Sequence, residues 1–235
     1  MSTFSSSLDI TSVYFSEVHK VVAYGTLDGT LGHYFVDENY QIVSDKVDSD
    51  IMKAHFFETP QTPQDGSAMV SLLDITTNPW EDNSVANTAI FYVTWGTIYA
   101  NGGACVNSDV PYSGGVSKLI LNTDSRTWNE EVISSGLSVS NHDHSINGIM
   151  FDQNGDLIVG VGGNTNAGVE GDCSIGETPE TPLSGALVRL RLSLGDDYDG
   201  TVEYINEDGT LNMDQRDGEN VYLKVQSKSS NLTPD

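Results

Sequence analysis

The sequence predicts an all-β fold of antiparallel, blade-like sheets in about three units, a propeller architecture, and three observations predict it. The first is alternation. Apolar and polar residues swap along VYFSEVHKVVAYG from Val13, and apolar strand runs recur at Ile90 to Val93 and Leu157 to Val161, as expected of half-buried strands. The second is turn chemistry: Asp28-Gly29 and Asn154-Gly155 sit between such runs, and Asn-Gly accepts the positive φ angles of a type I′ hairpin. The third is a repeat. Val13 to Ile42, Ile90 to Trp128 and Leu157 to Ile205 each run strand, Gly-rich loop, then a Gly-led strand with an Asp-containing turn after it. Gly29-Thr30-Leu31, Gly115 to Leu119 and Gly185 to Leu190 hold the equivalent place. Start-to-start distances of about 70 to 80 residues exceed a compact propeller blade and suit blades with long connecting loops.

Taken in order, residues 1–12 read as a tail, 13–217 as one β-domain and 218–235 as a polar tail. Strand and hairpin patterns run from Val13 through Val36, with His19 and His33 as surface or satisfied strand histidines rather than metal ligands. Asp45 to Met69 reads as a connection holding a short helix around Ile51 to Phe57. After the strand at Ile90 a long Gly, Asn and Ser loop precedes the alternation at Val116, Leu119 and Ile120. Trp80, Trp95 and Trp128 fall one to a region, and burial between sheets is the expected role of each over stacking on a sugar.

The densest stretch is Asn141 to Gly168. His142, Asp143 and His144 precede the apolar run Ile149 to Phe151, the Asn154-Gly155 turn folds it back on Leu157 to Val161, and Gly162-Gly163 let the backbone pass close to a neighbour. A cleft is expected there. Asp152 to Asp156 begins like an EF-hand loop, but its twelfth position is Gly163 rather than Glu, so the hairpin turn is preferred. No metal-ligand cluster is read from the residues, and Gly162 to Asn166 lacks the Lys-Ser/Thr ending of a phosphate loop.

The order Asp143-His144, polar spacer, Gly, apolar strand, turn, apolar strand and Gly-rich loop resembles the soluble glucose/sorbosone dehydrogenase family. Leu72 to Gly103 and Gly185 to Leu192 are similar to further segments of it, so the likeness spans roughly Val13 to Leu194. The resemblance implies a six-bladed propeller of which this chain carries about half, with pyrroloquinoline quinone and calcium as cofactors and a sugar or other small molecule as substrate. It also implies that His144 is the base taking the hydroxyl proton, Asp143 its orienter, and Gly162, Gly163, Asn164 and Asn166 the lining of the cofactor site. The family's arginine-bearing turn and later calcium segment are not found, and Gly163-Asn164 stand where an acidic residue usually follows Gly162. A non-catalytic extracellular binding propeller is therefore the alternative, because a fold does not fix a function.

The charge narrows the partners. With 34 acidic against 10 basic residues the formal charge is -24, which repels nucleic-acid phosphates and anionic lipid. No apolar run is long enough to span a bilayer, so neither nucleic acid nor membrane insertion is expected. The acidity suits a solvated surface in a salty or extracellular medium. The resemblance implies a secreted protein, whereas MSTFSSSLDI reads as no secretory leader and leaves a cytoplasmic location open. Open blade edges invite self-association.

Cys105 lies fifteen residues after Ile90 and Cys173 sixteen after Leu157, matching points of the long loop in consecutive units. A disulfide between them is expected, worth about 4 kcal/mol in the chain-entropy account. Two unpaired loop thiols are the alternative.

Overall fold

The computed structural model describes residues 10–55, 68–80, 87–99, 113–139, 144–163, 165, 180, 183–197, 201–206 and 221–226. They form a propeller-like all-β architecture of stacked sheets. The first sheet is a meander of β1 (Ile10–Ser16), β2 (Val21–Thr26), β3 (Leu31–Phe35) and β4 (Val47–Ser49), hydrogen-bonded in chain order. The second repeats this plan with β5 (Ala68–Thr76), β6 (Thr88–Tyr99), β7 (Ser113–Asn122) and β8 (Thr127–Ser138). The third has β9 (Ile146–Phe151), β10 (Leu157–Val161) and β11 (Ala186–Leu190). All neighbours within these meanders are antiparallel.

The repeat seen in the sequence is the third strand of each sheet: Leu31, Val116 and Ala186 lie in β3, β7 and β11. Its boundaries need correction. The second unit begins at Ala68, inside what reads as a connection, because β5 is buried at Val70, Ser71 and Leu72 and so lacks the alternation that marks a one-sided strand. The third unit does not end with Thr201 to Ile205. That segment is β12 (Thr201–Asn206), which pairs with β13 (Val221–Gln226) and touches β8 through the single parallel partner Thr201↔Ser135. The hairpin thereby extends the second sheet to six strands. Strands thus reach into both segments that read as tails.

Among the described residues there is no α-helix. A 3-10 turn at Ile51–His55 stands where a short helix is expected, and a second at Leu192–Asp197 follows β11.

Two apolar layers hold the stack together. On β6, Phe91, Val93 and Trp95 point to the first sheet, where they pack with Val21, Ala23, Leu31 and Met52. Tyr92 points the other way and joins Ile146, Ile149, Phe151, Leu157, Val159 and Val161 of the third sheet. This period-two division places the middle sheet between two cores. Each fully buried large apolar side chain contributes about 1.5–3 kcal/mol. Trp95 and Trp128 belong to the core as expected, whereas Trp80 is 55% exposed. β5, first strand of its sheet, lies against β1 and β9, the first strands of the other two, so the sheets share one inner side.

The hairpin turn between β9 and β10 differs from the two-residue form that Asn154-Gly155 suggests. Gly155 N–H donates to the Asp152 carbonyl (3.1 Å) and Asp152 N–H to the Asp156 carbonyl (2.8 Å), and of the turn residues only Gly155 has positive φ, 81°. This is a three-residue loop ending in a left-handed glycine. The reason is Asp152, whose carboxylate accepts the N–H groups of Asn154 (2.8 Å) and Asp156 (3.0 Å) and so rewards the longer loop. Arg189 of β11 reaches across to Asp152 (2.7 Å) and to the buried Asp156 (2.9 Å). Both carboxylates are thus engaged by a guanidinium, which fits a structural turn rather than a calcium loop.

Candidate functional site

Three chain segments converge at one end of the third sheet: His144-Ser145 ahead of β9, Gly162-Gly163 after β10 and Leu183 to Gly185 ahead of β11. The glycines are what let them meet. Gly162 N–H donates to the Ser145 carbonyl and Gly185 N–H to the Gly162 carbonyl, each at 3.0 Å. A Cβ built on Gly162 would lie 2.9 Å from the Ser145 carbonyl oxygen and 3.1 Å from the His144 carbonyl carbon. Backbone occupies that space, so any side chain at 162 must push the two segments apart. Gly162→Ala should destabilise the protein by about 2 kcal/mol through overpacking, read as a lowered denaturant midpoint; an unchanged midpoint would show that the segments part freely.

His144 is half-buried at this junction, and its Nδ1 lies 3.1 Å from the Gly163 carbonyl oxygen. A carbonyl can only accept, so in the neutral ring Nδ1 carries the proton and Nε2 the lone pair. The orienting partner among the described residues is therefore a backbone carbonyl. Asp143, assigned that role by the resemblance, lies outside the described residues, as do Asn164, Asn166, Cys105 and Cys173. Of the expected site residues the structure brings together His144, Gly162 and Gly163.

One residue at the junction had no signal in the sequence. Glu180 accepts hydrogen bonds from Thr165 N–H (3.1 Å), Thr165 Oγ1 (2.5 Å) and Ser184 Oγ, and its Oε1 lies 3.0 Å from where a Gly163 Cβ would stand. It lies in the loop five residues ahead of Gly185, outside any alternating run or motif, which is why periodicity could not find it.

Behind the junction a few polar groups interrupt the apolar layer between the second and third sheets. Asp74 stands at a bulge in β5 and accepts Ile75 N–H (2.8 Å) and Ile149 N–H (3.0 Å), tying β5 to β9. The buried hydroxyls of Thr94 and Ser145 have no hydrogen-bond partner among the described residues. A Cβ on Gly96 would come within 2.2 Å of Ser145 Oγ, so glycine there makes room for the hydroxyl.

The cofactors that the resemblance implies can be tested against these side chains. Calcium takes six to eight oxygen ligands, several from carboxylates. Among the described residues no group of three or more His, Cys, Asp or Glu side chains is gathered, and the Glu180 carboxylate is already engaged by three donors. The described residues therefore do not fit a calcium site.

A second polar cluster lies between the first and second sheets. His55 Nε2 meets Glu130 Oε1 at 2.5 Å, the same oxygen accepts Ser117 Oγ–H (2.5 Å), and Ser117 Oγ accepts the Trp95 indole N–H (2.9 Å). The His55 ring stacks on Trp95 at 4.1 Å. The serine hydroxyl is directed at the carboxylate rather than the imidazole, so this is not a nucleophile with its base. It fastens the Ile51–His55 turn to β8.

A search against protein-family models finds no match for the chain, and neither does a search of curated proteins.

Proposed function

We propose that the chain is a propeller of the glucose/sorbosone dehydrogenase type, its three sheets being three blades of a larger ring, and that it acts on a sugar hydroxyl with His144 as general base. The observation that carries this is the bond between His144 Nδ1 and the Gly163 carbonyl, since a ring held in that tautomer offers Nε2 as the proton acceptor. A neutral imidazole has the basicity to accept a hydroxyl proton near neutral pH when hydride leaves the same carbon. The quinone implied by the resemblance would supply the hydride acceptor.

A second reading is a non-catalytic binding propeller. It is favoured by the outward face of the third sheet, where Met150 is 63% and Leu187 82% exposed. On either reading a further copy or chain would cover the end sheets.

Dye reduction with an aldose, quinone and calcium separates the two. If the wild type turns over, His144→Ala should lose at least about 100-fold in kcat, the usual contribution of a general base, while His142→Ala keeps most activity. Equal losses would remove His144 from its role. No turnover with both cofactors supplied would give the lead to the binding propeller.

A further inference from the structure

We propose that Glu180 is a positioning residue of this site: its carboxylate fixes the Gly163 carbonyl that orients His144. The inference rests on His144 being the working imidazole. Glu180 gathers both ends of the loop between β10 and β11. On one side it accepts two hydrogen bonds from Thr165, two residues beyond Gly163. On the other it accepts one from Ser184, whose neighbour Gly185 donates to the Gly162 carbonyl at 3.0 Å. The peptide between these two anchors carries the oxygen that receives the His144 Nδ1 proton. Oε1 lies 3.0 Å from the Cβ position of Gly163, so the carboxylate abuts the backbone there, and a side chain at 163 would push it back by a few tenths of an ångström.

Three donors converge on one carboxylate, and charge-assisted bonds of this kind are about twice as strong as neutral ones. Glu180 thus supplies a rigid frame to a turn whose glycines would otherwise leave the carbonyl direction loosely set. Without the frame the carbonyl can swing away, and the imidazole loses the acceptor that selects its Nδ1–H tautomer. A carboxylate remote from the ring then governs which nitrogen holds the proton.

The test is nitrogen-15 NMR of the His144 ring at a pH where it is neutral, with the unfolding midpoint measured alongside. The wild type should be mainly the Nδ1–H tautomer. Glu180→Ala should shift the ratio toward Nε2–H by roughly five- to ten-fold, the effect of losing one hydrogen bond. Glu180→Gln, which keeps one acceptor oxygen for Thr165, should restore part of it. The double variant Thr165→Val, Ser184→Ala opens the clasp from the other side and should reproduce the shift, giving a second route should Glu180→Ala fail to fold. A clasp that only stabilised the loop would lower the midpoint and leave the tautomer ratio alone, and an unchanged ratio in either folded variant overturns the proposal. Turnover is not read, so a protein inactive on sugars would count against the proposed function and leave this result standing.

Discussion

Between pH 6.5 and 4 the protein should lose about 3 kcal/mol of stability that a His33→Gln variant retains. His33 is fully buried between β3 and the second sheet, its ring edge-on to Phe35 and Trp128, and it accepts the Trp128 indole N–H at Nδ1 (3.2 Å). Burial, assisted by the charge of Arg126 and opposed by that of Asp48, lowers its pKa from 6.5 to about 4. The unfolded chain therefore binds the proton first as the pH falls. The stabilisation is complete above 6.5, declines through the window and is gone below 4. Protonation would also set an Nδ1–H against the indole N–H, two donors face to face. Glutamine offers the indole a carbonyl and does not titrate. Urea unfolding across this range is the measurement, and the difference between the two proteins isolates His33 from His19, which burial shifts the same way. Parallel curves for wild type and variant would refute it.

Trp95→Ala should cost about 4 kcal/mol, in the range of large aromatic deletions from a core. Trp95 is buried among Phe91, Val93, Leu72 and Leu119, stacks on His55 and donates to Ser117. The substitution removes packing between two sheets together with a donor to the Ser117, Glu130 and His55 chain. Trp95→Phe keeps most of the apolar contact and should cost about half as much, since it forfeits chiefly the indole hydrogen bond and some volume. Denaturant midpoints at neutral pH decide. A loss below about 1 kcal/mol for the alanine variant would mean that the first and second sheets are not held together at this point.

Much of the stack was legible in the sequence because its strands obey simple rules. Alternation marks β1 and β2, glycine opens the equivalent third strands, and Asp28-Gly29 and Asn154-Gly155 both mark hairpin turns, the second a three-residue loop rather than the two-residue form. What stayed hidden has physical causes. β5 is buried on both faces along Val70 to Leu72, so it shows no polar period. β12 looks like a strand in sequence, but nothing local says that its partner is β8 rather than β11. At the candidate site the close approach was legible at Gly162 and Gly163, where residue type limits what the backbone can do, while the part given to His144 rests on the resemblance. Glu180 was not, because its part depends on Thr165 and Ser184 meeting across a loop. His33 reads as a strand histidine, yet its consequence for acid stability comes from its burial against Trp128, far along the chain, which no local pattern announces.

The sandwiching of the middle sheet sets an order of dismantling. That sheet is supported from both faces, through Phe91, Val93 and Trp95 on one and Tyr92 on the other, while among the described residues each end sheet has one such support. Either end sheet can peel away and leave the remaining pair with an intact core. Removing the middle sheet strands the other two at once. Like a short one-dimensional array, the chain comes apart from its ends inward, and the middle sheet is the last cooperative unit to open.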